Sequence, residues 1–198
     1  LDDTPNGLIE KLKLAEKYGF HILAEGYNDF KAAAFLDMLA DLVHKDQARG
    51  IIIILDTLKK FTDLMDKRMS SRFGKAIRNF VMKGGTCISL AHTNKYRNSD
   101  GKPIYAGTTD TIDDADCAYL MYEVGIDVDA ETKTIQFDNI KSRGLVARQV
   151  AYRYSISEGL SYREILDSVE PVDDSEMSSL KQAVAFESDA KVIDAVAQ

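Results

Sequence analysis

Apolar positions keep helical spacing in some stretches of this chain and run together in others, and the alternation predicts its elements. Thr4 and Pro5 read as a helix N-cap and first helical position. Leu8, Ile9, Leu12 and Ala15 then share a face, and Gly19 supplies the stop. FHILA, residues 20–24, reads as a short strand. Asp29 is placed to cap a second helix whose stripe includes Ala33, Phe35, Leu36, Leu39, Leu42 and Val43. After a polar break at 45–50, four isoleucines and a leucine, residues 51–55, run straight into Asp56. Such a run of bulky residues predicts a strand buried on both faces, central in a parallel sheet. A third helix is expected over residues 70–83, closed by Gly84 and Gly85, and TCISLAH, residues 86–92, reads as another buried strand.

Helix and strand alternate through residue 92, which argues for right-handed crossovers and a parallel sheet. The rhythm then changes. Residues 118–124, 132–140 and 148–156 read as strands with no helix between them, an antiparallel meander beside the parallel core. One or two helices are expected in the tail. Residues 93–109, TNKYRNSDGKPIYAGTT, have no periodicity, and a connection of that length inside a compact domain is usually functional or disordered.

Composition narrows the picture in three places. No apolar run approaches the roughly 20 residues that span a membrane, and the polar opening LDDTPNG is not a signal peptide. The start on Leu1 reads as a cut from something longer. Cys87 and Cys117 lie far apart in apolar contexts, as expected of buried thiols in a reducing cytoplasm. The formal net charge of −7 belongs to the tail: residues 157–198 hold three basic and ten acidic residues, and 1–156 hold 22 of each. A locally basic surface for nucleic acid is therefore compatible with the low isoelectric point.

Asp56 carries the chemistry. In open α/β sheets ligands bind beyond the carboxyl ends of the strands, and nucleotide hydrolases present a carboxylate to magnesium from an apolar strand ending in Asp. The alternative is an aspartate that caps the following helix.

The ordered set IIIILDT, SLAHTNK, GTTDTIDDADCAYLM and NIKSRG resembles the later part of a RecA-type ATPase core. The similarity is to the RepA-like and DnaB-like hexameric replicative helicases, and it covers residues 1–156. It implies an α/β fold with a RecA-like, mostly parallel sheet flanked by helices and an antiparallel meander at the C-terminal side. Residues 157–198 would form an acidic, helical tail. The glycine-rich loop GxxxxGK[ST] is absent from these residues, so the expectation is a piece of an ATPase that binds nucleotide poorly by itself.

Residue by residue, the resemblance implies that Asp56 holds Mg²⁺ through water beside Thr57 at the ATP phosphates. Asp2, or alternatively Asp3, would orient the attacking water. His92 would sense the γ-phosphate, with Thr93 and Asn94 beside it. Lys141 and Arg143, two apart on a strand and so on one face, would reach a neighbouring subunit's phosphate. Lys95, Arg97 and Lys102 would grip single-stranded DNA, with Tyr96 or Tyr105 available for stacking. Lys59, Lys60, Lys67 and Arg68 form a second basic group, read mainly as solvated surface. The implied cofactors are ATP and Mg²⁺. The implied partners are single-stranded DNA and further copies of the chain in a homo-oligomeric ring, a hexamer, with no membrane. The rivals are a RecA/RadA-type recombination ATPase and a non-catalytic adaptor.

Overall fold

The computed structural model describes residues 5–27, 29–63, 65–97, 103–105, 109–127 and 131–183. It is mixed α/β, with one parallel strand pair and one four-stranded antiparallel sheet. The chain divides into two compact units, Leu1–Asn94 with Tyr105–Asp114, and Lys95–Ile104 with Ala115–Gln198.

The first unit opens with α1 (Pro5–Tyr18). Gly19 ends it as expected, at φ 72 with its N–H on the Ala15 carbonyl at 2.9 Å, a left-handed conformation that glycine adopts without a Cβ penalty. Residues 20–24 form no strand. Strands exist by pairing, and this segment has no ladder partner among the described residues. Asp29 does not cap the second helix; it sits at φ 59 in a turn. The Glu25 carboxylate instead accepts from the Ala32 N–H at 2.7 Å, and a 3-10 turn, Ala32–Ala34, leads into α2 (Phe35–His44).

Strand β1 (Ile52–Asp56) pairs in parallel with β2 (Thr86–Leu90), Ile54 opposite Ile88 and Asp56 opposite Leu90. Between them lies α3 (Lys67–Met82), which starts earlier than its apolar spacing implied because Asp66 caps it, accepting from Arg68 N–H and Met69 N–H at 2.8 and 3.0 Å. At its end a Cβ on Gly85 would collide with the Phe80 ring, so glycine is required there. Phe35, Leu39, Ala48, Leu55, Leu58, Phe73 and Phe80 make the core, with Ile53 and Cys87 packed against it. Phe35 contacts Phe61 and Phe73 at centroid distances of 4.9 and 6.3 Å.

The run of isoleucines is buried on one face, not both. Ile52 and Ile54 are 65% and 64% exposed, and Ile88 and Leu90 beside them 47% and 46%. Side chains alternate along a strand, and α2 and α3 supply the core on the Ile53–Leu55 face alone. The RecA-like, mostly parallel sheet thus reduces, among the described residues, to this single parallel pair.

The segment expected to lack structure contains β3 (Thr93–Arg97) and β4 (Pro103–Tyr105), a two-stranded sheet. A short helix, α4 (Thr109–Asp114), follows in the first unit, and Arg78 Nη2 donates to its Asp114 carbonyl at 2.9 Å.

The second unit holds the three strands of the expected meander and a fourth, from residues expected to lie in a helical tail. β5 (Cys117–Asp127), β6 (Thr132–Ser142), β7 (Gln149–Ser155) and β8 (Glu170–Val172) pair antiparallel in chain order. Between β7 and β8 lies α5 (Tyr162–Asp167), opened by a capping box of Ser161 and Glu164. Residues 174–183 are helical, and Met177 and Leu180 pack with Ala151, Val172 and Val124. No helix among the described residues is long and apolar enough to cross a membrane.

Candidate functional site

Parallel pairing carries Asp56 and His92 to one edge. Asp56 ends β1 opposite Leu90, and His92 stands two residues beyond Leu90, so both lie at the carboxyl end of adjacent strands. Both side chains are exposed. The Asp56–Thr57 peptide bond is cis. Thr57 then turns the chain out of the strand into the 3-10 turn Leu58–Lys60, its carbonyl accepting from Lys60 N–H at 3.0 Å. Leu58 is buried in the core and anchors that turn, leaving Lys59 exposed. Asp56 does not cap the following helix; Asp66 does.

Two hydroxyls in this loop are buried without a hydrogen-bond partner, Thr57 Oγ1 and Thr62 Oγ1. An unsatisfied buried hydroxyl costs free energy that a bonded one would not. No group of three or more His, Cys, Asp or Glu side chains able to hold a metal converges among the described residues. Asp56 is the residue of this edge that could contact a hard cation such as Mg²⁺, which keeps most of its waters and takes one or two carboxylates alongside phosphate oxygens.

The basic residues of the second unit are arranged differently from the reading of the sequence. Lys141 lies on β6, but Arg143 falls in the bend beyond it. Simple alternation therefore does not set their shared face. Arg143 is held instead by Asp116, Nη1 to Oδ1 at 3.1 Å and N–H to carbonyl at 2.9 Å.

Three residues position this bend that the sequence did not single out. Asp116 is one. Asn139 is another: its Nδ2 donates to the carbonyls of Ala118 and Lys141 at 3.1 and 2.9 Å. Tyr119 is the third, its hydroxyl donating to the Ala147 carbonyl at 2.8 Å. Partial desolvation, with Cys117 nearby, holds that hydroxyl's pKa above the ordinary tyrosine value, although the residue is exposed. An Asp in DDADC and an Asn before the basic pair were the only hints in the sequence.

Lys95 and Arg97 fall on β3; their side chains, and Lys102 and Asp2 altogether, lie outside the described residues. Both cysteines are free, and Cys117 is exposed rather than buried. Burial raises the Cys87 thiol pKa, more than Ser89 lowers it, which disfavours the thiolate.

No protein-family model matches the chain, and no curated protein matches its sequence.

Proposed function

We propose that this chain is the carboxylate-bearing part of an ATP-driven DNA motor of the RecA-like kind, a helicase or translocase of plasmid, phage or bacterial replication. The observation that carries the reading is the shared edge. Asp56 ends an apolar strand and His92 follows the neighbouring parallel strand, where α/β sheets bind ligands. Thr57 follows Asp56 at this edge, and its hydroxyl is buried without a partner.

In this reading Mg²⁺, when bound with ATP, offsets negative charge on the phosphates. Asp56 would hold that ion through water, and His92 would supply a polar contact at the end of the next strand. Lys141 and Arg143 offer cations to the phosphate of an adjoining copy in a ring. Releasing Arg143 from Asp116 costs little, since an exposed ion pair contributes about 0–1 kcal/mol.

That same pairing favours a second reading, a non-catalytic interaction module whose arginine only shapes its own bend. Hydrolysis assays on the full-length protein separate the two. The motor predicts Mg²⁺-dependent ATP hydrolysis accelerated by single-stranded DNA; a protein that hydrolyses no ATP with or without DNA is the module.

A further inference from the structure

We infer that the outward face of α3 is a binding surface for the phosphodiester backbone of nucleic acid, separate from the β3 segment and independent of nucleotide. Over its 16 residues α3 carries Lys67, Arg68, Arg72, Lys75 and Arg78 and no acidic residue. Between Thr57 and Lys83 there are eight basic and two acidic residues, in a chain whose net charge is −7.

The placement is as one-sided as the charge. Phe73, Ile77 and Phe80 turn one face of α3 into the core. Arg68, Arg72 and Lys75, spaced four and three apart, share the opposite face and are exposed. No ion pair or side-chain hydrogen bond of these three occurs among the described residues.

Helix stability does not account for this arrangement. Like charges at i, i+4 repel, and Lys67 and Arg68 occupy the first turn, where the helix dipole disfavours cations. A polyanion laid along the stripe offsets both costs, and guanidinium groups pair with phosphate oxygens through two parallel hydrogen bonds.

Two other polyanions fit less well. Five acids of the described part of the tail already have partners: Glu170 and Glu176 pair with Arg153, Asp167 pairs with Arg163, and the Asp173 and Glu164 carboxylates accept from backbone N–H groups at helix starts. An anionic lipid surface is bound by helices that also insert an apolar face, and that face of α3 is spent in the core.

The test is fluorescence anisotropy of a labelled single-stranded oligonucleotide, without nucleotide, across a salt series. Arg68→Glu/Arg72→Glu/Lys75→Glu should weaken binding more than tenfold at low salt. It should also flatten the slope of log K against log salt by about 2, from three phosphate contacts at about 0.7 each. Lys13→Glu/Lys17→Glu/Lys31→Glu makes the same charge change on exposed positions of the same unit and should stay within about threefold of wild type.

Equal losses in both triple variants would mean that net charge alone governs binding and would overturn the surface. So would wild-type affinity in the α3 variant, whether or not that variant loses anionic vesicles or changes oligomeric state. If the charge reversal unfolds the unit, Arg68→Ala/Arg72→Ala/Lys75→Ala, which keeps strong helix formers, gives the same readout. Asp56→Asn should bind the oligonucleotide as wild type does, so the nucleotide reading and this surface stand or fall separately.

Discussion

The edge that carries Asp56 and the bend that carries Arg143 are both polar ends of sheets, yet they treat their polar groups in opposite ways. At the bend the chain satisfies itself: Arg143 with Asp116, Asn139 with two carbonyls, Tyr119 with Ala147. At the edge it does not. Asp56 and His92 face outward, and the hydroxyls of Thr57 and Thr62 are buried with no partner. Polar groups that close on one another fix a shape; Asp56 and His92 are instead exposed to solvent, while the Thr57 and Thr62 hydroxyls are buried without a partner, as Gln136 Oε1 is in the second unit. The contrast makes the Asp56 edge the stronger functional candidate and recasts Arg143 as a residue that must first be released.

The comparison breaks first at its support. Phe80 is fully buried beneath the parallel pair, and Phe80→Ala should cost about 3–5 kcal/mol, read by thermal or denaturant unfolding. A much smaller loss would mean that the core does not hold the edge in place. Gly85→Ala presses a methyl into the same ring and should cost about 1–3 kcal/mol; a neutral result would mean that the ring yields freely.

Thr62→Val removes an unpaired buried hydroxyl at nearly constant shape and should stabilise the protein by roughly 1 kcal/mol. A loss of stability would show that the hydroxyl has a partner and would erase one side of the contrast. Arg143→Ala, at the bend, should change stability by no more than about 0.5–1 kcal/mol, because the Asp116 pair is half-exposed. In the full-length protein it should cut hydrolysis while leaving ATP binding largely intact. Lost binding instead would argue against an arginine that acts on a neighbour's phosphate.

Acid sharpens the same comparison. Hydrogen bonding from the Glu176 backbone and from Ser175 holds the Asp173 carboxyl below its ordinary pKa, and the Ser161 side chain and backbone do the same for Glu164. A carboxylate whose folded pKa is depressed contributes stability that is fully present above its unfolded value. That stability is lost as pH falls through the lowered folded value. The two helix starts of the second unit should therefore hold above the usual carboxylate range, near 4, and loosen below it. Amide hydrogen exchange of residues 162–167 and 174–183 against pH checks this, and protection unchanged at pH about 2 would refute it.

Much of this fold was legible because its elements announce themselves locally. Gly19, the Gly84–Gly85 pair and the isoleucine run placed α1, the end of α3 and β1, and the loss of helical spacing after residue 92 foretold the meander. What failed depended on partners distant in sequence. FHILA has strand composition but no ladder partner among the described residues, and β3 and β4 form because they pair despite polar sequences. The burial of β1 on one face reflects which helices pack on it, which periodicity does not encode. At the candidate site, Asp56 and His92 were legible as polar residues after apolar strands. The Arg143–Asp116 pair was not, since 27 positions separate its members.

In the proposed motor the Asp56 edge holds the metal of a bound nucleotide. Mg²⁺-dependent ATP hydrolysis by the full-length protein, with single-stranded DNA present, tests this in wild type and Asp56→Asn. The substitution keeps the size of an exposed side chain and removes only its charge, so the variant should fold as wild type does and hydrolyse almost no ATP. Turnover by Asp56→Asn at the wild-type rate would contradict the claim.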